Sequence, residues 1–223
     1  MVIRKKRDLN QILESFIQKI RSRLYCWYYW KDYFEVLRLR KQYEGIQLKA
    51  AELLRIVHII RKFNHCRLLV FGLENDSPFW GEVNKNGRNV FLEDYEPWFD
   101  KITNEFPMIE AYLVSYPCNI TQWKEVLNKP ERLAMNLPQE IVNDRWDVIF
   151  VDGPRGHRYT QDLPGRMSSI YMASRLVDQA GYVFAHDAER VIEDAYSTKY
   201  LGEDHLVANV RGRSLMKIFH FPE

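Results

Sequence analysis

Cysteine is scarce in this chain, with three residues in 223. Cys26, Cys66 and Cys118 are an odd number without a CxxC spacing. That excludes a disulfide framework and a Cys-rich zinc site, and points to a reducing compartment. No stretch approaches the roughly 18 consecutive apolar residues of a membrane-spanning helix. The basic N-terminus is not followed by the apolar core of a secretory signal. The expected location is therefore cytoplasmic, with a peripheral seat on a membrane as the one qualification. A strong net charge is missing as well. Lys plus Arg total 32 against 30 for Asp plus Glu, net +2, so nucleic acid is not an expected partner. Internal repeats and low-complexity linkers are absent. With 46% hydrophobic and 28% charged residues the composition is globular and excludes a disordered or collagen-like chain.

The charge that is present is unevenly distributed. Residues 1–45 hold 11 basic and 5 acidic side chains, net +6, whereas the remainder holds 21 and 25, net −4. Within the basic segment Tyr25-Cys26-Trp27-Tyr28-Tyr29-Trp30 is a dense aromatic run flanked by Arg21, Arg23, Lys31, Arg38, Arg40 and Lys41. Two readings stand: a helical appendage whose rings pack on the main domain or a second subunit, or a surface for a membrane or another partner. The expected division places a basic, aromatic-rich helical extension at 1–45 and the main domain at 46–223.

From Ile46 the apolar residues Ile46, Ala50, Leu53, Val57 and Ile60 recur at helical spacing. Leu68–Phe71 then reads as a buried strand closing on Gly72. Strands follow at Val90–Glu93, Ala111–Val114, Asp147–Asp152 and Tyr182–His186. Helices are expected from Glu96 to Glu105, near Trp123–Leu127, from Pro164 to Gly181 and from Ala188 to about Tyr200. Leu206–Val210 and Leu215–Phe221 have no helix between them and read as an antiparallel hairpin. Alternating strands and helices imply an α/β doubly wound, mostly parallel sheet with an antiparallel edge.

Such sheets bind ligands beyond the carboxyl ends of their strands. Glu93 ends the second strand 21 residues after Gly72, a spacing suited to a carboxylate on ribose hydroxyls. GxGxxG is absent: the loop reads Gly72-Leu73-Glu74-Asn75-Asp76-Ser77. Few glycines and several carboxylates argue against a pyrophosphate and for a cofactor with a cationic end. S-adenosylmethionine, with its sulfonium and ammonium, meets that description. The cofactor candidates are Gly72, Leu73, Glu74, Asp76, Ser77, Glu93 and Asp94. Asp152, opening Asp152-Gly153-Pro154-Arg155-Gly156-His157, and the pair His186-Asp187 stand at neighbouring strand ends. The two aspartates suit a shared divalent cation, or alternatively a helix cap and a surface charge.

A resemblance rests on these residues together. Phe71-Gly72-Leu73, Asp76-Ser77, Trp80, Gly87-Arg88 and Val90-Phe91-Leu92-Glu93 are similar to blocks of the glucuronoxylan 4-O-methyltransferase family. So are Trp146-Asp147-Val148-Ile149, Val151-Asp152, Pro164-Gly165-Arg166-Met167, Ile170-Tyr171, His186-Asp187, Val191, Glu193-Asp194 and Gly212-Arg213. The resemblance runs from about Cys66 onward and implies a seven-stranded class I S-adenosylmethionine-dependent methyltransferase. It further implies methyl transfer to a sugar hydroxyl, typically O4 of glucuronic acid, assisted by a divalent cation. The acceptor partner would be a saccharide bearing a uronic acid. Glu74 stands where the family has a second glycine, the tail after Gly212-Arg213 is longer, and the anchor of the plant proteins is not expected here. In this frame Asp152, His186 and Asp187 are the catalytic candidates, with Asp152 and Asp187 on the metal. His186, then His157, is the expected general base. Arg155, His157 and Arg166 are the acceptor-binding candidates, since a guanidinium fork matches a carboxylate. Two other functions remain in view: methylation of a small non-sugar alcohol or phenol, and a non-catalytic docking protein of glycan assembly.

Overall fold

A computed structural model describes residues 9–156 and 162–222. Its centre is a seven-stranded sheet in the order β3-β2-β1-β4-β5-β7-β6. The strands are β1 (Arg67–Phe71), β2 (Arg88–Glu93), β3 (Glu110–Leu113), β4 (Trp146–Val151), β5 (Val177–Ala185), β6 (Leu206–Arg211) and β7 (Leu215–His220). The first five pair in parallel, and β7 runs antiparallel to both β5 and β6. The helices are α1 (Leu9–Tyr28), α2 (Trp30–Gln42), α3 (Ala50–Ile60), α4 (Ser77–Val83) and α5 (Glu96–Glu105). The short α6 (Trp123–Val126) and α7 (Gln139–Val142) follow, then α8 (Met167–Leu176) and α9 (Val191–Leu201).

The period-two pattern of the strands sends alternate side chains to two cores. Leu68, Val70, Val148, Phe150 and Phe184 pack beneath α3, α4 and α5. Leu69, Phe71, Ile149, Val151 and Val183 pack beneath α8 and α9. Both faces of the central strands are buried, which is why they read as unbroken apolar runs rather than alternations. Val36 and Leu39 of α2 join the first core, and Gly45, at φ 85°, makes the turn that follows. The end of the sheet away from the strand carboxyl termini is tied by charge. Arg67 meets Asp147 at 2.7 Å and Asp178 at 2.6 Å, while Arg88 meets Glu110 at 2.6 Å and Asp144 at 3.0 Å.

Three helix boundaries, both ends of α8 and the start of α9, differ from the sequence expectation. The helix expected from Pro164 begins at Met167, because Gly165 is in the left-handed region at φ 65° and cannot be helical. It ends at Leu176 rather than Gly181, since Val177 turns extended and pairs with Trp146, placing Gly181 inside β5. The helix expected from Ala188 begins at Val191, because Asp187 at φ 58° makes a turn first. Helix α4 was not assigned from sequence. Pro78 in its first turn suits a helix start.

Leu39 is 1% exposed. Leu39→Ala is expected to lower unfolding free energy by about 3 kcal/mol in urea titrations. A loss below about 1 kcal/mol would show that α2 rests on the core without contributing to it.

Candidate active site

The strand order reverses between β1 and β4, and the loops leaving these two strands touch backbone to backbone. Gly72 has φ 116°, and a Cβ on Gly153 would lie 2.8 Å from Gly72 Cα. The Asp152 N–H donates to the Phe71 carbonyl at 3.1 Å. Only glycine meets both demands at Gly72, the positive φ and the close approach. Beside this crossing opens a cavity of about 280 Å³. Its walls include the predicted Gly72, Leu73, Glu74, Glu93, Asp94, Asp152, Arg155 and Arg166. They also include Gln47, Tyr95, Trp98 and Arg190, which sequence reasoning did not single out.

Glu93 shapes this cavity through the backbone. Its Oε2 accepts the Leu73 N–H at 3.1 Å, and its Oε1 accepts those of Asp94 and Tyr95 at 3.1 and 2.9 Å. The Trp98 indole N–H donates to the Leu73 carbonyl, closing the same loop from the other side. Burial raises the Glu93 carboxyl pKa and the three N–H contacts oppose it. Burial, together with the Asp152 charge, pushes Glu74 up to about 7. Asp76 is pushed to about 8 by burial, then by Asp152 and Glu74, against a hydrogen bond from the Trp80 indole at 3.0 Å. Asp76 and Ser77 are not on the cavity wall. The Ser77 hydroxyl accepts the Glu74 N–H at 3.1 Å and so braces the turn into α4.

A buried charge network stands behind the wall. His186 Nδ1 lies 2.9 Å from Asp152 Oδ1, and its Nε2 lies 3.3 Å from Glu52 Oε1 and 2.8 Å from the Ser214 hydroxyl. Burial alone would favour a neutral ring, but the hydrogen bonds to Asp152 and Glu52 overcome it and raise the pKa to about 10. Asp152 is also desolvated, yet its contacts with His186 and Arg166 keep it below the usual carboxylate range. Arg166 spans Asp152 at 3.2 Å and Asp187 at 2.9 Å, and donates to the His186 carbonyl at 2.8 Å. Arg190 reaches Asp187 at 2.7 Å. Both His186 ring nitrogens are therefore engaged and the ring holds its proton, a state unsuited to the general-base role expected from sequence. The second expected base, His157, lies outside the described residues.

Asp152, His186 and Asp187 each offer a ligand atom within 4.8 Å of the others, a possible seat for a cation in number and type of donor. Among the described residues, no hydrogen bond uses Asp152 Oδ2 or Asp187 Oδ1, the latter lying 4.0 Å from His186 Nδ1, so one hard oxygen of each lacks a hydrogen-bond donor. The imidazole has no such free atom. The donor set fits a cation held by the two aspartates alone.

Glu52 is the main residue that sequence reasoning missed. It is fully buried, accepts the Lys49 N–H at 2.8 Å and the Arg213 N–H at 3.2 Å, and approaches His186 across 134 positions. Its one legible signal is an acidic residue three positions after a helix start, inside an apolar run. Gly212 exists to admit it, since a Cβ there would lie 1.8 Å from the Glu52 carboxyl carbon. Glu52→Gln should leave a buried imidazolium with one carboxylate fewer and cost about 3 kcal/mol of stability. Gly212→Ala should reproduce much of that loss. Unchanged urea midpoints for both would remove Glu52 from the network.

Comparison with known proteins sharpens this picture. The chain resembles glucuronoxylan 4-O-methyltransferase 1 of Arabidopsis thaliana, with 38% identity over 66% of this chain and 59% of the relative. It resembles arabinogalactan O-methyltransferase 1 of the same plant, with 31% identity over 78% of this chain and 66% of that one. The chain thus spans less than two thirds of the length of the glucuronoxylan relative. Among solved structures, a candidate caffeoyl-CoA O-methyltransferase from Staphylococcus aureus superposes with a TM-score of 0.51 at 12% identity, covering 83% of this chain and 91% of that one. The fold is that of class I S-adenosylmethionine-dependent methyltransferases. The IRX15/IRX15L/GXM family model matches residues 51–219, which contain every described element of the cavity except Gln47. With three quarters of its length under that match, the chain belongs to the IRX15/IRX15L/GXM family.

Proposed function

We propose that the chain is an S-adenosylmethionine-dependent O-methyltransferase acting on a sugar hydroxyl, with O4 of a glucuronic acid residue in a saccharide as the leading acceptor. The observation that carries this reading is one cavity walled by two opposite chemistries. Carboxylates on the β1 and β2 loops suit a sulfonium and an ammonium. Of the guanidinium groups on the wall, Arg166 and Arg190 are paired with Asp152 and Asp187, and that of Arg155 suits an acid. A phenol or neutral alcohol would give the Arg155 guanidinium no carboxylate to pair with. The names of the relatives, one acting on glucuronoxylan and one on arabinogalactan, support a polysaccharide acceptor.

Methyl transfer is an in-line displacement, so alignment supplies much of the rate. Leu73 and Glu74, fixed by Glu93 and Trp98, form the rigid seat for the cofactor. Glu93 Oε2 accepts a single backbone bond and keeps a lone pair for a ribose hydroxyl. Arg155 lies 4.7 Å over the Tyr95 ring, which presents its fork to an acceptor carboxylate at the rim. Arg166 is committed to Asp152 and Asp187, so its role is to hold those two carboxylates in position. The hydroxyl proton passes to a carboxylate of the cavity wall, where Asp152 and Glu74 are the available acceptors. Asp152 and Asp187 would hold a divalent cation through their unengaged oxygens. Such an ion supplies Lewis-acid charge that lowers the pKa of a bound hydroxyl. Residues 46–223 would form the catalytic part and residues 1–45 the part that places it.

Cofactor binding should strengthen as pH rises. Glu74 is raised to about 7 in the free protein, and a cationic ligand favours its ionised form, so binding releases a proton. Calorimetry at pH 6 and 8 should show about tenfold tighter binding at the higher pH, and Glu74→Gln should abolish the difference. A pH-independent Kd in the wild type would mean that Glu74 does not face the cation.

Labelled methyl transfer across a panel of uronosides, neutral glycosides and phenols, with and without chelator, tests the acceptor and the ion together. Uronosides should lead, chelator should suppress turnover, and Arg155→Ala should raise KM for uronosides by about tenfold or more with little change for neutral sugars. Faster methylation of neutral glycosides or phenols would overturn the sugar-acid reading. Full turnover after metal-free purification would overturn the cation.

A further inference from the structure

The aromatic run of the N-terminal segment is divided between two faces. Tyr25 and Tyr29 turn inward: Arg55 lies 3.1 Å over the Tyr25 ring, and the Tyr29 and His58 ring centroids are 4.1 Å apart. Tyr33, Val36 and Leu39 continue this inner face along α2. The outer face is different. Ile20, Leu24 and Trp27 on α1 recur at spacings of four and three, as do Trp30, Phe34 and Leu37 on α2. All six are exposed, Trp27 at 76% and Phe34 at 64%. Such spacing lines each set along one side of its helix.

The charges on that side are of one sign. Arg23, Lys31, Arg38 and Lys41 are exposed between or beside the apolar residues. From residue 17 to residue 41 the acidic residues are Asp32 and Glu35, and both are turned to the body of the protein by Arg61, at 2.5 and 2.7 Å. The outer face therefore presents rings and aliphatic groups among cations, with its two carboxylates withdrawn. A second copy would bring like charge against like charge. A nucleic acid would satisfy the cations but leave Ile20, Leu24 and Phe34 without burial. A bilayer with anionic headgroups satisfies both, with the rings at the acyl boundary and the basic groups at the phosphates. Among the described residues no helix is long and apolar enough to cross a membrane, so the contact would lie in the interface plane.

We propose that the outer face of α1 and α2 docks this protein on anionic membrane surfaces, burying Leu24, Trp27, Trp30 and Phe34 at the headgroup boundary. The inference does not rest on the enzymatic reading. It is tested by sedimenting the full chain with vesicles of phosphatidylcholine alone and of phosphatidylcholine with 30% phosphatidylserine. Each basic residue at such a surface contributes about fivefold in affinity, so the mixed vesicles should retain the protein at least tenfold better, and high salt should reverse this. The triple variant Trp27→Ser, Trp30→Ser, Phe34→Ser should lose about tenfold or more even in low salt, while Arg23→Glu with Arg38→Glu should lose the phosphatidylserine preference. Fluorescence of the wild type should be quenched by brominated lipid and that of the triple variant much less. Circular dichroism and calorimetric cofactor binding, which these outward side chains do not touch, check that both variants fold. Equal retention on neutral and anionic vesicles, or none on either, would overturn the proposal. So would a wild-type dimer that the triple variant converts to monomer, or tighter retention on single-stranded nucleic acid than on vesicles.

Discussion

A protonated imidazole held between two buried carboxylates links parts of the chain that share no sequence neighbourhood. Glu52 comes from α3, His186 from the end of β5 and Asp152 from the end of β4. Each charge in the line would be costly to bury alone, and each is made tolerable by its neighbours. Arg166 extends the line to Asp187, and Arg190 extends it again. The cavity wall at Asp152 thus depends on a side chain from α3, a hundred residues away in sequence. The orientation of Asp152, and through it the charge felt by Glu74, depends on this line being complete.

The arrangement also explains a division of labour at the strand ends. Glu93 and Asp152 both stand at carboxyl ends of parallel strands, where the fold brings ligands. Glu93 spends three acceptor positions on backbone N–H groups and shapes the loop. Asp152 spends one oxygen on cations and keeps the other clear. Two residues equivalent by position in the sheet are thereby made different by their hydrogen-bond partners. Neither role can be read from residue type.

Much of the fold was legible because strand burial and helix periodicity are local signals. All seven strands lie where apolar runs and the final hairpin placed them, within a residue or two for most. Helix ends were less legible where a backbone torsion intervened, as at Gly165 and Asp187. The strand-end rule brought most of the cavity together from sequence: Gly72, Glu74, Glu93, Asp152, Arg155 and Arg166 share one wall. What was hidden is long-range. Glu52 sits in the first turn of α3, a common place for an acid, and its partner is 134 residues away. Arg190 carries no sequence signal of its own, and its place on the wall shows only through its pairing with Asp187. His186 invited a catalytic reading from its place at a strand end, and only the occupancy of both ring nitrogens reassigns it.

The Arg67 and Arg88 pairs at the opposite end of the sheet bear on how the molecule meets its solvent. Arg67 with its partners Asp144 and Asp178, and Arg88 with Glu110, are each about a third exposed, so dissolved ions reach them. The network around His186 is shielded from the same ions. Raising ionic strength should therefore act on the two ends of the sheet unequally, loosening the amino-terminal edges of the strands while leaving their carboxyl ends nearly untouched. The molecule has one end whose order is set by the medium and another whose order is set by the protein itself, and the cavity sits at the second.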